Sequence, residues 1–330
     1  MIPARNAAST VARAITSVLS QSFSALELLL IDDGSTDDTV DRALGAAFGD
    51  VRLRVLRSPP LGVVAAANLG LTRARAPLVA RLDADDAMLP RRLERQWAAL
   101  AAMTDVVALG THVEHVPDPA RTPGADDGMA RYVAWLNERG DWPDVHRNRF
   151  IESPLCNPST LVRRDVVVAC GGYVAGAFPE DYELWLRLVA QGHRIAVLPE
   201  VLTRWFDSGG RLTRVHPSYA TATFAPLKAR YLAPLCRDRG VWIVGAGRDG
   251  RRLARALVAE HVPIHGFVDA DPRKIGGFRR GDRPIVATTA LPHDGALIVS
   301  AVGIPGARAE IRAWLLARGE VEGETFTCAA

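Results

Sequence analysis

Apolar positions in the first hundred residues switch repeatedly between two periods. In STVARAITSVLSQS, residues 9–22, Val11, Ile15, Val18 and Leu19 share one helical face, with Ser9 or Thr10 placed to cap it. The run LELLLI that comes next is apolar almost throughout, as expected of a strand buried on both faces. It ends in DDGSTDDTV, where Ser35 and Asp38 have capping-box spacing and Asp37 and Asp38 favour the first turn of a helix. RLRVL (52–56), LVARLD (78–83) and VVALG (106–110) read as further strands, and residues 62–75 and 90–102 as helices. Strands alternating with helices predict an α/β fold with a largely parallel, doubly wound sheet. Ligands of such sheets sit at the carboxyl ends of strands, and the acidic clusters at 32–33 and 83–86 both lie there.

Further along, residues 116–128 are rich in Pro, Gly and Asp and read as a loop, with a helix over 129–139. EDYELWLRLVAQ (180–191) predicts an amphipathic helix with Leu184, Leu188 and Val189 on one face. A helical stretch over 216–235 leads to a second unit. There VWIVGAGRDGRRLARAL reads as strand, Gly-rich turn and helix, and GFVD (266–269) and ALIVSAV (296–302) as strands. The predicted division is 1–235 and 236–330.

At 330 residues, two domains are expected. Hydrophobic residues make up 48% and charged residues 23%, with a net charge of +3, and no long basic block appears, which argues against nucleic acid as a partner. Cys156, Cys170, Cys236 and Cys328 are far apart, which excludes a tight metal knuckle and fits reduced thiols in the cytosol. The start, MIPARNAAST, has no apolar signal core, and LLLI is far short of a membrane span. A cytoplasmic protein is expected, with peripheral association at the inner face of the membrane left open.

RLDADD (81–86) drives a buried strand into Asp83, Asp85 and Asp86. Like charges roughly 4 Å apart repel by about 4 kcal/mol at an effective dielectric near 20, so a counter-ion is required. Hard carboxylate oxygens two residues apart suit Mg²⁺ or Mn²⁺, with a substrate diphosphate completing the shell. The bland alternative is a solvated acidic turn, with Asp86 capping the next helix. Asp32 and Asp33 at the end of LELLLI either accept hydrogen bonds from a nucleotide or cap a strand–helix turn. Glu180 and Asp181 either stabilise a helix N-terminus or supply a general base.

These stretches together resemble a family 2 glycosyltransferase of the GT-A fold. The matching motifs are P-A-R-N (3–6), S-V-L-S-Q-S-F (17–23), E-L-L-L-I-D-D-G-S-T-D (27–37), N-L-G-L (68–71), R-L-D-A-D-D (81–86), N-P-S-T (157–160), G-G-Y (171–173) and E-D-Y-E-L-W-L-R-L (180–188), in family order over about residues 1–205. The resemblance implies a mixed, mostly parallel sheet flanked by helices. It implies a nucleotide pocket from Pro3, Asn6, Asp32, Asp33, Asn68 and Asp83, with Asp33 facing a base, by family habit uracil. It makes Asp83 and Asp85 the metal and diphosphate ligands, and Asp181 the base of an inverting transfer. Asn157, Glu180 and Trp185 fall on the acceptor side. The implied donor is a nucleoside-diphosphate sugar, with UDP as the carrier by family habit. The implied acceptor is a hydroxyl-bearing glycan or lipid-linked glycan in polysaccharide or glycoconjugate synthesis. Two departures stand out. The family has a full hydrophobic strand before P-x-x-N where this chain supplies Met1 and Ile2, so a truncated first strand with unpaired neighbours is expected. Ala67 stands where the family often has Arg.

In the second unit Gly245, Gly247 and Gly250 form G-x-G-x-x-G after a strand, and Asp269 ends the next strand. This resembles a Rossmann-type domain and implies a nucleotide or NAD(P) site, or an accessory domain with no ligand. The other functions in view are therefore a catalytically impaired sugar-nucleotide-binding protein and an NAD-dependent oxidoreductase.

Overall fold

The computed structural model describes residues 1–118, 128–208, 210–279, 283–304 and 306–330. Most of the loop expected at 116–128 lies outside the described residues. The chain divides into two compact units, Met1–Val145 with Pro154–Pro217, and His146–Ser153 with Ser218–Ala330.

The first unit contains two sheets. Strands β1 (Ile2–Ala4), β2 (Leu28–Asp33) and β3 (Leu53–Ser58) are parallel, in that order. Strands β4 (Leu78–Ala80), β5 (Ala87–Met88), β6 (Val106–Val116), β7 (Leu161–Arg163) and β8 (Arg194–Phe206) form a mixed sheet of order β4-β7-β6-β8-β5. In it β6 and β8 run parallel and the other pairings are antiparallel. All six residues of β2 are buried, as its continuous apolar run requires. The helix Val11–Leu19 buries Val11, Ala14, Ile15 and Val18 against Ile2, Leu28 and Leu30. The helices Val63–Arg73 and Glu180–Ala190 contribute Ala66, Leu71, Leu184, Trp185 and Leu188 to a second core with Leu29, Ile31 and Val162.

The first strand is short but present. Ile2, Pro3 and Ala4 pair with Leu30, Ile31 and Asp32, so the pairing stops short of Leu28 and Leu29 at the start of β2. Met1 joins the two sheets: its amine donates to the Ala80 carbonyl at 2.7 Å, and its carbonyl accepts the Leu82 N–H at 3.1 Å. Burial, reinforced by Arg81, pushes this amine down to about 5. Beside it lies a cavity of about 270 Å³ lined by Leu28, Leu29, Leu78, Val79 and Trp97 among others.

The second unit holds β9 (Val241–Val244), β10 (Ile264–Val268), β11 (Phe278–Arg279), β12 (Arg283–Val286), β13 (Leu297–Ser300) and β14 (Phe326–Cys328), ordered β11-β12-β10-β9-β13-β14. All pairings are parallel except β11 with β12. The helix Thr221–Cys236 belongs to this unit. All four cysteines are free thiols. Among the described residues no helix is long and apolar enough to cross a membrane.

Candidate active site

The turn after β4 closes on itself, with the Asp86 N–H donating to the Asp83 carbonyl at 3.2 Å. It gathers Asp83, Asp85 and Asp86 so that one oxygen of each lies within 4.8 Å of the others. Two arginines answer the resulting charge. Arg81 holds Asp83 at 2.9 Å. Arg211 spans all three: it contacts Asp86 at 2.8 and 3.2 Å, Asp85 at 3.4 Å and Asp83 at 3.5 Å. The Arg211 guanidinium also donates to the Phe206 carbonyl and lies 5.1 Å from the centre of the Trp205 ring. Arg13 donates to the Asp85 carbonyl at 2.5 Å and stacks on Phe206.

The three carboxylates are not equivalent. The Asp83 and Asp85 side chains keep 28% and 30% of their exposure, while Asp86 has none. Burial pushes Asp85 above the usual carboxylate range and Asp86 up to about 8, against the opposing pull of Arg211. Arg211 itself is held above its ordinary value by these carboxylates, despite its burial. The Phe206 N–H adds a third donor to Asp86 at 2.9 Å. Three donors on one carboxylate match its ionised form, and this geometry outweighs the upward push of burial. Asp83 and Asp85 thus present hard oxygens that fit a divalent cation, and Asp86 is already spent on Arg211.

Strands β1 and β2 end side by side, Pro3 opposite Ile31 and Ala4 opposite Asp32, with Asn6 just beyond one strand and Asp33 closing the other. Asn6, at φ +50°, accepts the Thr36 N–H at 2.9 Å and donates its own N–H to Ser35. Asp32 accepts the Ser35 N–H at 3.1 Å. Asp33 accepts the Leu61 N–H at 2.8 Å and the Gly62 N–H at 3.0 Å, which ties β2 to the start of the helix Val63–Arg73. The Asn68 side chain is consumed elsewhere: it donates to the Tyr173 carbonyl at 2.8 Å and accepts the Tyr173 N–H at 2.9 Å. The Tyr173 hydroxyl in turn donates to Asn157 at 3.0 Å.

Glu180 and Asp181 open the helix Glu180–Ala190. Asp181 accepts its neighbour Tyr182's N–H at 2.8 Å. Although the residue is only partly covered, its carboxyl is packed among protein atoms, and burial, then the Glu180 charge, push it well above the usual range. The Asp83 charge adds to that push, so the helix start and the acidic turn are within electrostatic reach of each other. Trp185, expected on the acceptor side, is fully buried in the core beside Leu184 and Leu188, and its indole N–H has no hydrogen-bond partner among the described residues.

In the second unit Gly245 turns the chain at φ +100°, and a Cβ on Gly250 would lie 1.8 Å from the Gly245 carbonyl oxygen, so both positions require glycine. Gly247 precedes the helix Arg248–Ala259. Asp269 accepts the Ala246 N–H at 2.9 Å, the Asp271 N–H at 3.0 Å and the Lys274 ammonium at 3.0 Å. Asp269 is thus engaged by groups of its own unit, and these contacts give no support to an NAD(P) site.

Sequence reasoning missed Arg211 and the pairing role of Arg81. Arg81 stands inside the R-L-D-A-D-D motif, whereas Arg211 sits in a polar stretch, 125 residues from Asp86, with no periodic signal.

Known proteins resemble this chain in sequence and in fold. The sequence model described as "Glycosyl transferase family 2" matches residues 1–168. The amylovoran biosynthesis glycosyltransferase AmsE of Erwinia amylovora is 29% identical over 192 residues, covering 58% of this chain and 68% of that protein. The succinoglycan biosynthesis protein ExoU of Rhizobium meliloti is 32% identical over 212 residues, covering 60% of this chain and 58% of that one. Among solved structures, S. aureus TarS 1–349 in complex with UDP-GlcNAc superposes with a TM-score of 0.53 at 17% identity, covering 78% of this chain and 70% of that one. The mannosyltransferase PcManGT from Pyrobaculum calidifontis, in complex with GDP-Man and Mn²⁺, gives 0.51 at 17% identity, with coverages of 79% and 67%. These structural likenesses establish a shared glycosyltransferase fold. This chain spans 42% of the longer TarS chain.

Proposed function

Because the chain belongs to glycosyl transferase family 2, we propose that it moves a sugar from a nucleoside diphosphate, UDP in the first instance, to an acceptor hydroxyl with inversion. The observation that carries this reading is the acidic turn, where Asp83, Asp85 and Asp86 bring one oxygen each within 4.8 Å of the others while Asp83 and Asp85 stay partly exposed. A leaving diphosphate needs positive charge, and an attacking hydroxyl needs a base; the two groups of carboxylates are suited to meet these needs separately.

In this reading Pro3, Asn6, Asp32 and Asp33 form the nucleoside end of the pocket. A divalent cation, Mg²⁺ or Mn²⁺, at Asp83 and Asp85 would offset the charge that builds on the departing diphosphate. Asp181 takes the acceptor proton, and its raised affinity for protons makes it a stronger base than an exposed aspartate. Asn157, held by Tyr173, orients the acceptor with Glu180. A single displacement requires no covalent enzyme nucleophile. The working division is a transferase unit followed by an accessory unit. Relatives named for amylovoran and succinoglycan biosynthesis favour a polysaccharide acceptor, reached by a protein of the cytoplasm or the inner membrane face.

The test is a donor screen. UDP-, GDP- and dTDP-sugars are incubated with the protein and Mn²⁺ or Mg²⁺, and release of the nucleoside diphosphate is monitored. Metal-dependent release from at least one donor is expected. Release from none, by folded protein that still binds nucleotide, would replace this reading with a sugar-nucleotide-binding protein.

A further inference from the structure

We propose that Arg211 makes cation binding at Asp83 and Asp85 conditional on the diphosphate, so that donor and metal bind as a pair. This rests on the transferase reading and deepens it.

Arg211 is a fixed charge. Its side chain is 4% exposed, and its guanidinium is anchored from behind by the fully buried Asp86, by the Phe206 carbonyl and by the Trp205 ring. Its remaining contacts, at 3.4 Å to Asp85 and 3.5 Å to Asp83, are long and face the two partly exposed carboxylates. A free divalent cation on those carboxylates would compete with Arg211 for the same oxygens and be repelled by it, and Arg81, paired with Asp83, adds to the repulsion. A diphosphate reverses the sign. It brings more negative charge than the cation brings positive, and an arginine fork already turned toward the site can donate to a phosphate oxygen in place of Asp83. The residue that opposes the metal alone therefore favours the metal with its diphosphate. Such a coupling is reciprocal, so metal must strengthen nucleotide binding by the same factor. The third aspartate gains a role that a metal ligand set does not need: Asp86 is the anchor of Arg211.

The test measures binding of Mn²⁺ alone, and of Mn²⁺ in the presence of saturating UDP, by titration calorimetry on the full chain. Wild-type protein and Arg211→Met are compared. We expect UDP to tighten Mn²⁺ binding in the wild type, and Arg211→Met to reduce that enhancement by about tenfold or more, with Mn²⁺ alone binding no more weakly than before. Arg211→Lys, which keeps the charge, should retain most of the enhancement. Arg211→Met strands the buried Asp86 charge, so Asp86→Asn with Arg211→Met is measured too, and it decides the matter if the single variant does not fold. An enhancement unchanged within about twofold, or weaker binding of Mn²⁺ alone, overturns the inference while leaving the transferase reading intact. Wild-type protein that binds neither UDP nor Mn²⁺ with UDP overturns both.

Discussion

Replacing Asp181 by Asn tests the base assignment with two readouts of opposite sign. Asparagine keeps the volume, and its carbonyl oxygen can accept the Tyr182 N–H that Asp181 accepts at 2.8 Å. What it removes is a carboxyl that burial and Glu180 both hold away from its charged form. A positioned general base contributes about 10²–10⁴-fold to the rate, equivalent to about 3–5 kcal/mol of barrier, so kcat should fall by that factor. Folding should respond the other way. The native proton affinity of Asp181 exceeds the unfolded one, so its carboxyl opposes folding increasingly as pH rises from the ordinary carboxylate range toward the raised native value, and not at all below it. At neutral pH the variant should therefore be more stable than the wild type, seen in scanning calorimetry as a raised melting temperature. Its advantage should vanish in acid. UDP affinity should stay within about twofold, a few tenths of a kcal/mol. Three results would each refute the reasoning: a rate loss under tenfold, a lowered melting temperature, or UDP binding lost in step with turnover.

The same geometry predicts two further outcomes. Glu180→Gln removes the nearest negative charge acting on Asp181, so the acid limb of the kcat/KM profile should move to lower pH; a limb that stays put would separate the two carboxyls. Asn68→Ala deletes both hydrogen bonds to the Tyr173 backbone and should cost about 1–3 kcal/mol of stability in urea unfolding while UDP affinity holds, whereas a direct nucleotide ligand would lose UDP and little stability.

How far these features could be read from the sequence depends on how local their causes are. The run LELLLI declares a strand buried on both faces, and β2 is one, because burial acts residue by residue along a single element. The two acidic clusters declare themselves because carboxylates ending an apolar strand are locally anomalous. The burial of Trp185 is legible from spacing: it lies four residues after Asp181 and three before Leu188, on the apolar face of its helix, and the structure packs it with Leu184 and Leu188. Asp33 was not legible beyond its position. The N–H groups of Leu61 and Gly62 reach it from the far end of β3, and nothing in either stretch announces the other. The reversal of β7 between β4 and β6 has the same character, since a three-residue strand carries no period of its own.

Arg211 is the extreme case and shows why the acidic turn is tolerated. Three carboxylates with oxygens within 4.8 Å cost several kcal/mol if left alone, since each pair repels by about 4 kcal/mol at this range and an effective dielectric near 20. Two arginines from different parts of the chain offset that cost before any ligand arrives: Arg81 directly after β4, and Arg211 beyond β8. The turn can then keep its shape without a metal, because its charges are already paired. That pairing is uneven. Asp86 receives the closest contacts and full burial, while Asp83 and Asp85 keep partial exposure and, with Arg211, contacts of 3.4–3.5 Å. Under the proposed function, this uneven neutralisation is what would let the ion cluster bind a metal: Asp86 holds Arg211, and Asp83 and Asp85 would exchange their longer contacts with it for a cation.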